Sequence, residues 1–472
     1  MMTVIAVVLS GAMWFASAGI YHVWLLAWIA PVPLLVVLPD LRPGRAALAA
    51  WAAGALGASS YAVAYRDALA PPALAALVAA TPLPLVAVAL VWRAVARRGG
   101  LLVSALAFAA ASVAAEYLVA LVSPNGTFGS VAYTQADLLA LIQLASLTGL
   151  WGITFVVSLV AAALALAWRG REKRATRDAA LAIAAVPLAL VLLGGSARLA
   201  MAPPAVTTVR VGLAASDSSN RPFRRPGVDV LPVVRGYAAR AAALAERDVQ
   251  FVVLPEKFAA VGPEDSYGAQ TALASVARRY HLTIVAGFTA LGEGAPRNRA
   301  VVFGPDGRLL LSYDKVHLVP GLEDAYVPGQ ALGLIPDAVV PAGVAICKDL
   351  DFTALGRAYA QAGVGLLLVP AWDFGRDAWL HSRMAVLRSV EGGFALARVA
   401  SDGLLTVSDP RGRIVVERAS ASDGEVLVAA GVPVGGRGTF YSRTGDWFAW
   451  LCLATALACG WLARRRRAPE TE

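Results

Sequence analysis

Eight stretches of this sequence are candidate membrane spans, judged against the roughly 20 apolar residues that a helix needs to cross the hydrocarbon layer, and the second and eighth of them are short. Of its 472 residues, 58% are hydrophobic and only 15% are charged, which is too apolar for an ordinary soluble protein. We therefore predict a multi-span α-helical membrane domain with eight transmembrane helices. The candidate spans lie near residues 2–20, 24–38, 47–64, 72–92, 101–122, 140–168, 179–197 and 447–463.

The orientation of these spans follows from the Lys and Arg residues in the short segments between them. With the N-terminus inside, the inner segments hold fourteen such residues and the outer segments hold only Arg66. The inner residues are Arg42, Arg45, Arg93, Arg97, Arg98, Arg169, Arg171, Lys173, Arg174, Arg177 and Arg464 to Arg467. Both termini are therefore expected in the cytoplasm. The net charge of +9 fits loops that face an anionic inner leaflet, and it does not indicate nucleic-acid binding.

The chain divides into three predicted parts. Residues 1–200 form the membrane domain with seven helices, and residues 446–472 form the eighth helix with a basic cytoplasmic tail. Between them, residues 203–445 form one hydrophilic block, which the orientation places outside the cytoplasm. Its short β-branched runs alternate with Ala-rich stretches, a pattern typical of an α/β domain. A hairpin is expected from strands at 299–303 and 309–313.

Three polar residues of this block follow predicted strands, where α/β folds usually carry their chemistry. Glu256 follows the strand at 251–255, Lys315 follows the hairpin, and Cys347 follows the strand at 343–346. Cys347 is the only cysteine of the block, so no disulfide can form within it. A thiolate nucleophile needs a base and a nearby cation, roles that Glu256 and Lys315 can fill. An inert cysteine buried in the strand is the alternative.

The sequence around these three residues resembles a known superfamily. The segments LPE at 254–256, YDKVHLVP at 313–320 and GVAICKD at 343–349 resemble the three signature segments of the nitrilase superfamily. Eight spans with such a domain inserted before the last one resemble the apolipoprotein N-acyltransferase family. The resemblance implies an α-β-β-α sandwich and a catalytic triad of Glu256, Lys315 and Cys347.

The resemblance also implies a reaction. A phospholipid donates an acyl group to Cys347, and the N-terminal amine of a diacylglyceryl-cysteine lipoprotein accepts it, with no metal or organic cofactor. The expected location is the bacterial inner membrane, with a periplasmic catalytic domain and a monomeric protein. Four histidines and no paired His or Cys spacing also argue against a metal site.

Three further residues are candidates for supporting roles. Glu323 matches a second functional glutamate of the family in the segment 315–328. Lys348 stands where the family usually carries an aromatic residue, so its charge is expected to lower the pKa of Cys347. Glu116 is an ionisable residue in the fifth span, which indicates either a role in handling lipid or a position near the outer interface. His381 is interpreted as a helix-surface residue rather than a ligand.

Two other functions compete with N-acyl transfer to a lipoprotein. One is a membrane-anchored carbon-nitrogen hydrolase, or an N-acyltransferase that acts on a different amine. The other is a non-catalytic membrane scaffold or transporter, in which Cys347 would be replaceable without consequence.

Overall fold

The computed structural model describes residues 1–18, 20–201, 207–217, 227–420, 424–435 and 438–465. The chain forms two compact units. The first, which we call the helical unit, contains Met1–Met201 and the chain from Thr444 onward. The second, Ala202–Arg443, we call the α/β unit.

Apolar helices make up the helical unit. Its helices are α1 (Met2–Ser17), α2 (Leu26–Ile29), α3 (Val32–Val37), α4 (Pro43–Tyr65), α5 (Pro71–Ala80), α6 (Leu83–Ala96), α7 (Leu101–Val122), α8 (Leu139–Ile142), α9 (Ala145–Thr148), α10 (Leu150–Arg169) and α11 (Arg174–Ala200). Five helical stretches are long and apolar enough to cross a membrane, namely α4, the stretch Pro71–Ala96, α7, α10 and α11. Shorter apolar helical stretches cover Met2–Ser17, Leu26–Asp40, Leu139–Thr148 and Trp447–Ala463.

Two predicted spans are not continuous helices. The predicted span at 140–168 is divided into α8, α9 and α10, and Gly149 separates the last two because its φ of 67° ends α9. The predicted span at 24–38 is divided into α2 and α3 near Pro31, which has no backbone N–H to continue a helix. The predicted turn between the first two spans includes Gly19, which lies outside the described residues.

Arginines join neighbouring segments at one end of the helical unit. The guanidinium of Arg169 forms two hydrogen bonds, of 2.9 and 3.1 Å, with the carboxylate of Asp40. Arg93 Nε donates to the carbonyl of Leu41 at 2.6 Å. Three of the segments expected on the cytoplasmic side therefore meet at the same end of this unit.

Thirteen described strands form two sheets in the α/β unit. They are β1 (Thr207–Ala215), β2 (Phe251–Val253), β3 (Ala259–Val261), β4 (Thr283–Ala290), β5 (Arg297–Phe303), β6 (Leu309–Asp314), β7 (Gly333–Ile335), β8 (Ala342–Val344), β9 (Leu366–Trp372), β10 (Ala395–Ser401), β11 (Leu404–Ser408), β12 (Ile414–Ala419) and β13 (Val426–Val434). The first sheet has the order β13-β1-β2-β4-β5-β6, and β3 pairs with β4. The second has the order β12-β11-β10-β9-β8-β7. The expected hairpin is β5 with β6.

Helices cover the outer faces of both sheets. They are α12 (Leu231–Ala245), α13 (Pro263–Tyr280), α14 (Thr353–Gln361) and α15 (Ala378–Gly392). The short helix α16 (Phe440–Thr444) follows the last strand, and α17 (Trp447–Arg465) belongs to the helical unit. One apolar core contains side chains from both sheets, including Val253, Val344 and Leu368. A second core joins α12 and α13 to the first sheet, and a third joins α14 and α15 to the second. The unit is therefore an α-β-β-α sandwich.

Candidate active site

Cys347 occupies a strained position at the end of a strand. It begins a short 3-10 turn, Cys347–Asp351, that follows β8. Its φ of 45° lies in the left-handed region that residues other than glycine rarely adopt. Its Sγ lies 3.6 Å from the carbonyl oxygen of Trp372, at the end of β9. Strain of this kind costs about 1–3 kcal/mol and is concentrated at functional sites.

Glu256 reaches the same place from the other sheet. It follows β2, its side chain is buried, and its backbone N–H donates to the carbonyl of Ala371 at 3.3 Å. Ala371 precedes Trp372, whose carbonyl contacts Cys347. A Cβ on Gly287 of β4 would lie only 2.7 Å from the Cα of Glu256, so glycine is required there. The two sheets thus bring Glu256 and Cys347 together.

Lys315 lies between two carboxylates directly after β6. Its ammonium donates to Glu256 Oε1 at 2.9 Å and to Glu323 Oε2 at 2.9 Å. The side chain of Lys315 is only 1% exposed, and the two glutamates are as deeply buried. Burial of an unpaired ammonium would be very unfavourable. The two carboxylates offset this cost, so the charged side chain of Lys315 can be buried here. Three of the predicted site residues are therefore joined directly.

Two members of this network were not identified from the sequence. Asn298 of β5 is fully buried, and its Nδ2 donates to Glu256 Oε1 at 2.5 Å and to Glu323 Oε1 at 2.7 Å. Lys257 donates to Glu323 Oε1 at 2.5 Å. The sequence carried a signal for Lys257, which directly follows Glu256, but none for Asn298, which lies between Arg297 and Arg299 at the polar start of β5.

The ionisation of the network follows from its burial and its charges. Burial alone would lower the pKa of Lys315, but attraction to Glu256, Cys347 and Glu323 raises it well above the usual lysine value. Burial alone would raise the pKa of Glu323, but Lys315 and Lys257 lower it to about 2. Burial and the negative charge of Glu256 raise the pKa of Cys347, which Lys315 lowers only in part. The resting site therefore holds a charged lysine, an ionised Glu323 and a protonated thiol.

Asp349 connects the segment after Lys315 to the turn that carries Cys347. Its buried carboxylate accepts four hydrogen bonds of 2.7 to 3.1 Å, from two different parts of the chain. The donors are the Tyr313 hydroxyl and the backbone N–H groups of Val316, His317 and Ile346. Asp349 therefore fixes the position of one segment relative to the other.

Comparison with known proteins covers both units. The family described as apolipoprotein N-acyltransferase N-terminal domain matches residues 10–163, and the carbon-nitrogen hydrolase family matches residues 224–433. The apolipoprotein N-acyltransferase of Geobacter metallireducens is 29% identical, over 98% of this chain and 95% of its own length. The chain therefore contains a match to the N-terminal domain of apolipoprotein N-acyltransferases followed by a match to the carbon-nitrogen hydrolases.

Two further proteins are similar to different shares of the chain. A second member of the apolipoprotein N-acyltransferase family, from Bradyrhizobium diazoefficiens, is 26% identical over 77% of this chain and 73% of its own length. Among solved structures, an amidase from Nesterenkonia sp. has a TM-score of 0.43 and 23% identity, covering 52% of this chain and 96% of the amidase. The family matches make the chain an enzyme of the nitrilase superfamily, with a helical region before its nitrilase-like domain.

Lys348 directly follows Cys347, and the sequence predicts that its charge acts on the thiol. Its side chain is buried, and its Nζ lies 3.6 Å from Asp351 Oδ2. The charges with the largest effects on the pKa of Cys347 are those of Glu256, Lys315, Asp373 and Arg398. An effect of Lys348 on the thiol therefore stays a prediction.

A second set of ion pairs involves Asp373, the residue that follows Trp372. Arg398 of β10 forms a two-pronged ion pair with Asp373, and both side chains are almost completely buried. His381 of α15 contacts Asp377 Oδ2 through its Nε2 at 3.1 Å, and its side chain is 14% exposed. His381 is therefore largely buried and ion-paired, so its interpretation as a helix-surface residue was wrong.

The pairing of His381 predicts a pH-dependent stability. Burial alone would lower the pKa of His381, but the negative charge of Asp377 raises it to about 9, above the usual 6.5. The stabilisation is thus fully present below pH 6.5 and is lost as the pH rises through about 9, a change of at most roughly 3 kcal/mol. The difference in unfolding free energy between wild type and His381→Gln should be largest near pH 6 and should shrink toward pH 10. A difference that stays constant over this range would contradict the pairing.

Glu116 lies on α7 in the helical unit. Its carboxylate accepts hydrogen bonds from the Ser130 hydroxyl at 2.8 Å, the Thr154 hydroxyl at 2.9 Å and the Val131 backbone N–H at 3.3 Å. These contacts join α7 and α10 to the segment at 130–135. Glu116 also lines a largely apolar cavity of about 670 Å³ within this unit.

Proposed function

We propose that the protein transfers a fatty acyl group from a phospholipid, through a thioester on Cys347, to the N-terminal amine of a diacylglyceryl-cysteine lipoprotein. The observation that carries this proposal is the meeting of Cys347, Glu256 and Lys315 at the interface between the two sheets. The similarity of nearly the whole chain to an apolipoprotein N-acyltransferase supports the identity of the acceptor.

In the first half-reaction, Glu256 acts as the base. Among the described residues, no group donates a hydrogen bond to its buried Oε2, which leaves that atom free to take a proton. The Cys347 proton passes to Glu256 as the sulfur attacks the ester carbonyl of the phospholipid. The ammonium of Lys315 stabilises the oxyanion that forms. The ester C–O bond then breaks, the proton of Glu256 passes to the departing alkoxide, and a lysophospholipid leaves.

In the second half-reaction, the acceptor amine attacks the thioester. Glu256 takes a proton from the amine nitrogen, and Lys315 stabilises the second oxyanion. The C–S bond breaks, and the thiolate of Cys347 recovers the proton from Glu256. The product is an amide, and the enzyme returns to its resting state without metal or organic cofactor. Exclusion of water from the thioester is what separates transfer from hydrolysis.

The location of this chemistry is also part of the proposal. We infer eight spans, with both termini in the cytoplasm and the α/β unit outside. Five long apolar helical stretches account for part of this number, and the shorter apolar stretches supply the rest in this proposal. The contacts of Arg93 and Arg169 at one end of the helical unit support a common cytoplasmic side for these segments.

The orientation makes a direct prediction. A reporter enzyme that is active only outside the cytoplasm should be active when fused after Ala259 and inactive when fused after Arg174. The reason is that Lys and Arg residues keep the short segments that contain them in the cytoplasm. Reporter activity at both points, measured with equal expression levels, would show that the assignment of the inner side is wrong.

The cavity of the helical unit is a candidate place for an acyl chain. Its lining is largely apolar, and Glu116 and Ser130 contribute polar groups. A cavity with apolar walls and few polar groups is typical of sites that hold amphipathic ligands. Glu116 then positions the segment at 130–135 that forms part of the wall, rather than extending toward water.

A membrane-anchored carbon-nitrogen hydrolase is the second candidate. The match of residues 224–433 to the carbon-nitrogen hydrolase family favours it, because the same triad can attack an amide carbonyl. The match of residues 10–163 to the N-acyltransferase family favours transfer instead. Incubation with phospholipid and a diacylated peptide, in parallel with simple amides, distinguishes the two functions. Release of ammonia from simple amides without acylation of the peptide would favour the hydrolase.

A further inference from the structure

Four charged side chains form a continuous buried row, and the charges of two of them, Glu256 and Lys315, act on the Cys347 thiol. We call Lys257, Glu323, Lys315 and Glu256 the ion-pair row. Lys257 contacts Glu323 Oε1 at 2.5 Å, Lys315 contacts Glu323 Oε2 at 2.9 Å, and Lys315 contacts Glu256 Oε1 at 2.9 Å. Positive and negative charges alternate, so the row is balanced when both carboxylates are ionised.

Lys257 is held in the row by its backbone and by its surroundings. Its φ is 46°, in the left-handed region, directly after Glu256. Its side chain is only 12% exposed, and its Nζ lies 5.3 Å from the ring centres of both Tyr326 and Trp372. Two aromatic faces and one carboxylate therefore surround the ammonium, an arrangement that stabilises a cation.

The charge of Lys257 decides how much of Lys315 is available for chemistry. Glu323 is fully buried, and without Lys257 its charge would be balanced by Lys315 alone among these charged side chains. Lys315 would then be shared between Glu323 and Glu256. When Glu256 takes the thiol proton, the negative charge moves to Cys347 and next to the oxyanion, and both need the ammonium of Lys315. A Glu323 neutralised by Lys257 leaves that ammonium free to follow the charge.

We propose that Lys257 is a positioning residue that neutralises Glu323, so that the charge of Lys315 is directed to the Cys347 thiolate and to the oxyanion. This inference rests on the acyl-transfer mechanism proposed above and adds to it a residue that acts on Cys347 through two others. The low pKa of Glu323, about 2, agrees with a carboxylate that both lysines stabilise despite its burial. The charges with the largest direct effects on the pKa of Cys347 are those of Glu256, Lys315, Asp373 and Arg398, which agrees with an indirect role for Lys257.

The test is the rate at which iodoacetamide alkylates Cys347 in the full-length protein, followed by mass spectrometry of the peptide that contains it. Lys257→Met should lower this rate by about tenfold near neutral pH and shift its rise to higher pH by about one unit. Lys257→Arg, which retains the charge, should keep most of the wild-type rate. Lys173→Met, the same change at an exposed lysine of the helical unit, should leave the rate unchanged.

A double variant separates an electrostatic role from a structural one. In Lys257→Met with Glu323→Gln, the uncompensated carboxylate is gone, so the alkylation rate should rise again above that of Lys257→Met alone. A purely structural role predicts a further loss instead. An unchanged alkylation profile in Lys257→Met, or no recovery in the double variant, would overturn the proposal.

Alkylation needs no lipid, so its result is independent of the proposed function. If Lys257→Met slows alkylation but the wild type forms no thioester from phospholipid, the role of Lys257 stands and the donor assignment fails. If the wild type forms the thioester and Lys257→Met alkylates normally, the acyl-transfer function stands and the role of Lys257 fails.

Discussion

Incubation of the full-length protein with labelled phospholipid and no acceptor should leave a hydroxylamine-sensitive acyl group on Cys347. The first half-reaction needs only the donor, and a thioester accumulates when no amine is present to discharge it. Cys347→Ala should abolish the label, because the nucleophile is absent. Cys452→Ala, a matched change at a buried cysteine in α17, should retain it. Mass spectrometry of the two cysteine-containing peptides measures both results.

The neighbours of Cys347 should affect the label in graded ways. Glu256→Gln should reduce it severely, because the group that takes the thiol proton is lost. Lys315→Met should slow its formation by roughly 3 kcal/mol, or about a hundredfold, by analogy with the removal of one oxyanion donor. Unfolding curves of each variant show whether the fold is intact, which matters because Lys315 also neutralises two buried carboxylates.

Discharge of the label distinguishes the proposed functions. Addition of a diacylated lipopeptide should move the acyl group from Cys347 to the peptide amine. If only water removes the label, the thioester mechanism stands, but N-acyl transfer to this acceptor is excluded. No label in intact enzyme with several donor lipids would show that the acyl-enzyme mechanism is wrong.

Asp373→Ala should destabilise the α/β unit by about 3–5 kcal/mol, because the guanidinium of Arg398 would remain buried without its carboxylate. Burial alone would lower the pKa of Arg398, but Asp373 raises it, so this side chain stays charged. Asp306→Ala, which breaks an exposed ion pair with Arg308, should leave unfolding unchanged. Chemical denaturation of the full-length protein in detergent measures both changes.

A double variant tests the cause of that destabilisation. Asp373→Leu combined with Arg398→Met removes both charges and should recover much of the stability lost in Asp373→Ala, since a buried ion pair is often replaceable by apolar side chains of similar size. Loss that is equal in the single and double variants would assign the effect to packing rather than to the unpaired charge.

The sequence alone was enough to predict the α/β organisation, the hairpin of β5 and β6, and the resemblance to apolipoprotein N-acyltransferases, because these depend on local patterns. Alternating β-branched runs indicate strands, and the segments around Glu256, Lys315 and Cys347 carry the resemblance. The division of the predicted span at 140–168 was not anticipated, because a window of apolar residues does not register the positive φ of Gly149.

The partners of each charged group were decided only by the tertiary structure. Asn298 and Lys257 join the site because β5 and the segment after β2 bring them within 2.7 Å of Glu323, which is far away in sequence. The sequence of α15 does not indicate that His381 is largely buried, because its burial depends on distant segments of the chain that pack on this helix. Hydrophobic periodicity is a local property that the sequence displays directly. Burial and charge pairing depend on which distant segments meet, and so they emerge only from the folded chain.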